Sequence, residues 1–255
     1  MTLTIDLTDK TAFITGGSKG IGRAIADLLV DCGANVGVLA HDGADLEEAV
    51  AALNAKVPGS AVAVPGDVSN FDQVRVAVRR TVDHFGRLDL AVNNAGIAGK
   101  SGLLHETGHD NWRTVMGVNL DGVGFAMMAE VEEMMKSGGG SIVNIASVEA
   151  HTILKQFPVY GASKHALIGL TKGTAADYAD HGIRINSVSP GVIATPLTMA
   201  EGQKVVTDRL AAKIPLGRLG ESEEIARAVA FLLSDLSAYT TGADLVVDGA
   251  FLLRE

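Results

Sequence analysis

The chain has 255 residues, a single cysteine and a formal charge of −9, with 47% hydrophobic but only 4% aromatic residues. That length allows a core burying about three quarters of the unfolded surface. The lone Cys32 excludes an intrachain disulfide and a cysteine metal cluster, and an acidic chain without a basic run carries no nucleic-acid footprint.

From the amino end, MTLTIDLTDK lacks the charged and apolar regions of a secretory signal, and no later apolar run reaches spanning length. A soluble cytoplasmic protein with no membrane partner is expected. Next come TAFIT (11–15), NVGVLA (35–40), AVAVP (61–65), LDLAV (88–92), SIVNIA (141–146), IRINSVS (183–189) and DLVVD (244–248), which read as seven buried strands. Helical spacing fills the gaps: GRAIADLLVDCG after the first strand, ADLEEAVAALNAK after the second, FDQVRVAVRRTVDHFG after the third. A long helix over 109–136 follows the fourth, a helix around PVYGASKHALIGL the fifth, and ESEEIARAVAFLLSD precedes the last. Such alternation implies right-handed βαβ crossovers and an α/β, doubly wound parallel sheet with helices on both faces. No linker divides the chain, so residues 1–255 form one dinucleotide-binding domain, with a partly helical insertion around 196–215 over a pocket.

Two short patterns carry chemistry. The first strand runs into TGGSKGIGRAIA, where Gly16, Gly20 and Gly22 open a helix. Glycines there let backbone amides approach a pyrophosphate at a helix N-terminus. The spacing is G-x-x-x-G-x-G, not G-x-G-x-x-G, and by itself it could be a turn. The other pattern is Tyr160 four residues ahead of Lys164, which places both on one helical face. A lone pair of this kind is usually a surface feature. The seven histidines show no metal-ligand spacing, and the methionine pairs 127–128 and 134–135 suit the core or a subunit contact.

Taken with NNAG (93–96) after the fourth strand, Ser147 after the fifth, PGVIATP (190–196) and the terminal VDGA, these patterns resemble the short-chain dehydrogenase/reductase family over nearly the whole chain. The resemblance implies a Rossmann-like, seven-stranded parallel sheet and a catalytic set of Asn119, Ser147, Tyr160 and Lys164. It also implies a nicotinamide dinucleotide held by Gly16, Ser18, Lys19, Gly20, Ile21 and Gly22, with Asp67 and Val68 near the adenine. Asn94, Ala95 and Gly96 would pass along the adenosine side, while Pro190, Gly191, Ile193 and Thr195 would lie towards the nicotinamide. The reaction implied is metal-free hydride transfer between a secondary alcohol and a ketone. Tyr160 would act as acid/base on the substrate oxygen, with Lys164 and the oxidised ring supplying positive charge that favours its phenolate. Ser147 would hydrogen-bond that oxygen; no G-x-S-x-G elbow makes it an acylating nucleophile. Asn119, inside the long helix, would kink its ladder and hold a water beside Lys164. A nucleotide-sensing protein without turnover, or a lyase or epimerase on the same scaffold, are the rival readings; the intact four-residue set argues against a pure sensor.

Three finer expectations follow. Glu149 and His151 stand where many family members carry small residues, so they would line the substrate pocket and read a polar group. The long Met-rich helix and the Tyr160 helix offer more apolar surface than one sheet face can cover, which points to a homotetramer. At the end of the second strand the family's acidic position is the neutral Ala40, followed by His41, and Lys19 precedes Gly20. These residues favour NADP(H) over NAD(H), whereas Asp42 would oppose a 2′-phosphate.

Overall fold

Every predicted strand forms. The computed structural model describes residues 4–41, 43–195 and 211–253. Its main sheet contains β1 (Thr11–Thr15), β2 (Asn35–Leu39), β3 (Ala61–Ala63), β4 (Leu90–Asn93), β5 (Gly140–Ile145), β6 (Ile183–Pro190) and β9 (Asp244–Val247). All pairings are parallel, in the order β3-β2-β1-β4-β5-β6-β9. A two-stranded parallel piece, β7 (Ile193–Ala194) with β8 (Gly220–Glu221), lies beside it. Most of the insertion expected around 196–215 falls outside the described residues, as does Asp42.

Alternation along each strand sorts the core into two layers. Ala12 and Ile14 join one cluster, packed by Ile25 of α1 (Gly20–Asp31), Leu46 of α2 (Gly43–Lys56) and Val229 of α7 (Ser222–Leu233). Phe13 joins the opposite cluster, packed by Val74 of α3 (Phe71–Phe85), Met127 of α5 (Gly122–Ser137) and Leu167 of α6 (Pro158–Tyr178). Covering both faces is what lets nearly continuous aliphatic strands such as TAFIT exist in water. Each methionine pair is split by its helix: Met127 and Met134 are buried, Met128 and Met135 exposed.

The helix expected over 109–136 is longer and not uniform. It starts at Leu104 as α4 (Leu104–Met116), breaks its winding at Gly108 (φ 80°), and passes through a π-helical turn at Gly117–Asp121 before α5. In that turn the Gly122 amide donates to the Gly117 carbonyl, five residues back. Close packing fixes the site: a Cβ on Gly122 would lie 3.0 Å from the Val68 carbonyl oxygen.

Strand order reverses between β1 and β4, so the connections leaving their carboxyl ends diverge and open a crevice there. Beneath it lies a polar seam. Asn93 Nδ2 donates to Glu130 Oε2 (3.1 Å) and Asn144 Oδ1 (3.0 Å), and Asn144 Nδ2 donates to Thr171 Oγ1 (2.9 Å). Glu130 is fully buried, and burial pushes its carboxyl up to about 8, the bond from Asn93 only partly opposing this. Its Oε1 and the Oδ1 of Asn93 find no donor among the described residues. A neutral carboxyl costs less to bury there than a carboxylate.

An unfolded glutamate ionises near about 4.3 while the folded group keeps its proton to about 8, so the unfolded state binds fewer protons across that window. Glu130 therefore removes stability as pH rises, by about 1.4 kcal/mol per pH unit, until the folded carboxyl also ionises. Glu130→Gln is likewise neutral and does not titrate. Its melting temperature should exceed that of the wild type by a margin that grows from pH 5 to 8 and then levels; a margin independent of pH would contradict this account.

Candidate active site

Along one side of the crevice runs the glycine loop between β1 and α1. Gly16 (φ 65°) and Gly20 (φ 55°) adopt left-handed backbone, and a Cβ on Gly22 would come within 2.2 Å of the Gly16 carbonyl oxygen. Any side chain there would push the loop off the helix. Lys19 is the N-cap of α1 and gives no side-chain cap, which leaves the helix end suited to an anion. Asn94, at the end of β4, holds the loop in place. Its Nδ2 donates to the carbonyls of Thr15 (3.1 Å) and Gly16 (3.0 Å), while the Thr15 hydroxyl accepts from the amides of Asn94 and Ala95. Nothing in the sequence marked Thr15 for this role beyond its place directly before Gly16.

The crevice has a volume of about 450 Å³. Of the expected cofactor contacts, Gly16, Lys19, Gly20, Ile21, Asn94, Ala95, Gly96, Pro190, Gly191, Ile193 and Thr195 line it, together with Ser147, Tyr160 and Lys164. Gly20 and Thr195 face each other closely, since a Cβ on Gly20 would sit 3.6 Å from the Thr195 methyl. A crevice with the glycine loop at one end and the Lys164 ammonium at the other suits a nicotinamide dinucleotide. Ser18 is half-buried in the loop, and Gly22 packs beneath it. His41 is exposed past the end of β2.

Asp67 and Val68 stand back from the crevice lining. The Asp67 carboxylate accepts from the Ser69 amide (2.9 Å) and hydroxyl (2.8 Å), shaping the turn into α3; Val68 is buried in the core.

The expected reactive groups meet at the other end. Ser147 ends the segment after β5 and caps a single 3₁₀ turn, Val148–Ala150, where its Oγ accepts from the Glu149 amide (3.1 Å). Pro158 at the start of α6 pre-sets the first helical turn and presents Tyr160. Burial pushes the Tyr160 phenol up; a hydrogen bond with Ser147 pulls it down and Glu149 raises it further. Desolvation is thus the largest influence on the phenol. The Lys164 ammonium is buried 5.7 Å from the Tyr160 ring centre and donates to the Ile145 carbonyl (2.8 Å); burial brings it down to about 8. A Cβ on Gly96 would lie 3.5 Å from Asn119 Oδ1 and 3.6 Å from Lys164 Nζ, so both groups flank one point of the crevice.

Asn119 is wholly buried in the π-helical turn, where the regular ladder is broken as expected. Its Oδ1 accepts from the Ile97 amide (2.8 Å), and its Nδ2 donates to the Ile97 carbonyl (2.9 Å) and Ser163 Oγ (3.1 Å). Both amide hydrogens are thus bonded to protein. Ser163 passes the restraint on, donating to the Tyr160 carbonyl (2.7 Å). The sequence reading missed Ser163, whose one signal is its place before Lys164.

Neither expected substrate reader is among the residues that line the crevice. His151 is not among the crevice residues: its Nε2 pairs with Asp244 Oδ2 (2.6 Å) at the start of β9. That carboxylate also accepts from Ser187 and Ser189, and this cluster draws the imidazole to the sheet edge. Glu149 is buried, with Oε2 unpartnered among the described residues; burial pushes its carboxyl up to about 7, against a bond from the Leu154 amide.

With this geometry in view, the likeness to known proteins is informative. A family model described as enoyl-(acyl carrier protein) reductase matches residues 16–251. Cyclohexanol dehydrogenase of Acinetobacter sp. (strain SE19) is 42% identical, with 95% of each chain covered. The short chain dehydrogenase/reductase astE of Aspergillus oryzae is 38% identical over 97% of this chain and 96% of its own. The crystal structure of levodione reductase superposes with a TM-score of 0.91 at 34% identity, covering 96% of this chain and 98% of that one.

Proposed function

The chain belongs to the short-chain dehydrogenase/reductase family and is a nicotinamide-dependent oxidoreductase of alcohols and ketones, and we propose that Tyr160 is its acid/base. The observation that carries this reading is the convergence of the Tyr160 phenol, the Ser147 hydroxyl and the buried Lys164 ammonium at one end of a dinucleotide-sized crevice. When bound, the nicotinamide ring gives or takes the hydride. In the reducing direction Tyr160 hands its proton to the carbonyl oxygen as that oxygen gains charge; in the oxidising direction the phenolate takes the hydroxyl proton. Ser147, its acceptor side occupied by the Glu149 amide, turns its hydrogen towards the same oxygen. Lys164 holds positive charge close to the phenol, and Asn119 keeps Ile97 and the Tyr160 turn in register through Ser163.

Finer parts of the reading rest on individual residues. The cofactor is NADP(H) in preference to NAD(H), because Ala40 is neutral and His41 and Lys19 can meet a 2′-phosphate. Residues 1–255 form one catalytic domain, with the insertion around 196–215 over the substrate. The enzyme works in the cytoplasm, as the single unpaired Cys32 suits a reducing compartment; no helix of the described residues is long and apolar enough to cross a membrane. A homotetramer would cover the exposed Met128 and Met135, and a monomeric mass by light scattering at micromolar concentration would contradict it.

Tyr160→Phe should keep the fold and cofactor binding while turnover falls by about 10²- to 10⁴-fold, the usual worth of a positioned acid/base. Because the free-enzyme phenol titrates above its ordinary value, wild-type kcat/KM for alcohol oxidation should climb with pH into the alkaline range and that for ketone reduction should fall. Retention of most turnover by the variant would remove Tyr160 from the reaction.

Glu149 stands behind the crevice lining, beside the turn that carries Tyr160, and its buried, unpartnered carboxyl oxygen suits a donor such as a further hydroxyl of a substrate that reaches past the lining. Glu149→Ala should lower kcat/KM for hydroxylated ketones and diols relative to plain cyclic ketones and alcohols. Unchanged relative rates across that panel would sink the assignment.

A further inference from the structure

At the adenosine end of the crevice a charge contact bears on which dinucleotide is accepted. Lys19 lines the crevice directly before Gly20, and its ammonium forms an ion pair with the carboxylate of Asp45. Asp45 lies in the first turn of α2, the helix that follows β2. The chain therefore brings the end of β2, the start of α2 and the glycine loop to one place. In an open α/β sheet that place receives the ribose 2′ position of a dinucleotide. Among the described residues, that place holds the neutral Ala40, the exposed His41, Lys19 and Asp45.

We propose that Asp45 is a cofactor-specificity residue: by pairing with Lys19 it restrains and partly neutralises the cation that would otherwise bind a 2′-phosphate, and so it limits the preference for NADP(H). This rests on the proposed meeting of Lys19 with that phosphate. A 2′-phosphate must either displace the carboxylate from the ammonium or share the ammonium with it, and sharing sets two anions side by side. A 2′-hydroxyl demands neither. The carboxylate thus acts selectively against the phosphorylated ribose while leaving the unphosphorylated one untouched. Position matters as well as charge: an acidic residue in the first turn of α2 is favoured by that helix's own dipole, so local stability keeps Asp45 in place whichever cofactor is present. Nothing in the sequence alone pairs it with Lys19, since an aspartate at that point reads as an ordinary first-turn residue.

The test separates the adenosine end from turnover by using 2′,5′-ADP and 5′-AMP as probes, with Kd measured by calorimetry on the full-length wild type, Asp45→Asn, Lys19→Ala and the double variant. Melting temperatures confirm that each remains folded. Asp45→Asn should tighten 2′,5′-ADP about fivefold relative to 5′-AMP, the worth of a half-exposed charge pair of about 1 kcal/mol. Lys19→Ala should weaken 2′,5′-ADP selectively, and in its background the Asp45 change should have little effect. An affinity ratio that stays within twofold in Asp45→Asn, with Lys19→Ala still weakening 2′,5′-ADP, overturns the role of Asp45 and leaves the cofactor reading standing. If Lys19→Ala leaves 2′,5′-ADP binding unchanged, Lys19 does not meet the phosphate, and both readings fall.

Discussion

Where β1 and β4 part at the reversal of strand order, the side-chain amide of Asn94 spans the gap to the carbonyls of Thr15 and Gly16. The rest of the site depends on that staple. It holds the glycine loop against the end of β4, so the N-terminus of α1 faces the crevice. It leaves no room for a side chain at Gly22, whose Cβ would lie 2.4 Å from the Asn94 amide nitrogen. The same residue starts the segment Asn94–Ile97 that Asn119 grips from the far side. One end of the cofactor crevice is thereby mechanically continuous with the other.

That continuity has a cost in polar burial. Asn119, Ser163 and Lys164 are all withdrawn from water, and each is provided with a protein partner: Ile97, the Tyr160 carbonyl and the Ile145 carbonyl respectively. A satisfied network of this kind rigidifies, because any displacement of one member leaves another buried and unpaired. The π-helical turn is part of the arrangement. A regular helix ladder would carry Asn119 at a different azimuth, whereas the wider turn delivers its amide to Ile97. Reactive geometry here is held by backbone groups more than by side-chain charge.

Desolvation also explains the direction of the titrations. Tyr160 is raised and Lys164 lowered, each by burial first, so desolvation works against the phenolate and the ammonium alike. The two shifts move the phenol and the ammonium apart in their titration ranges, so Lys164 gives up its proton before Tyr160 does. Glu130 and Glu149 are raised for the same reason. Glu130 sits in the polar seam under the crevice, and Glu149 stands close enough to Tyr160 to raise its phenol.

The seven strands, the glycine loop and the Tyr160–Lys164 pair were legible in the amino-acid sequence, whereas Asn119 and Ser147 entered only through the family resemblance. The former are written in local spacing: aliphatic runs of strand length, glycines where backbone must approach backbone, and an i, i+4 pair on one helical face. What only tertiary structure decided is which side chains meet across long separations. Asn119 and Ser163 are 44 residues apart, Asn93 and Glu130 are 37, and His151 and Asp244 are 93. The pairing of Lys19 with Asp45 belongs to the same class. Whether a histidine after Ser147 faces the crevice or the sheet edge depends on an acceptor supplied by a strand near the other end of the chain. Local periodicity is set by neighbours along the backbone, but such contacts are set by how helices lie on the sheet, and that is fixed only when the whole core packs.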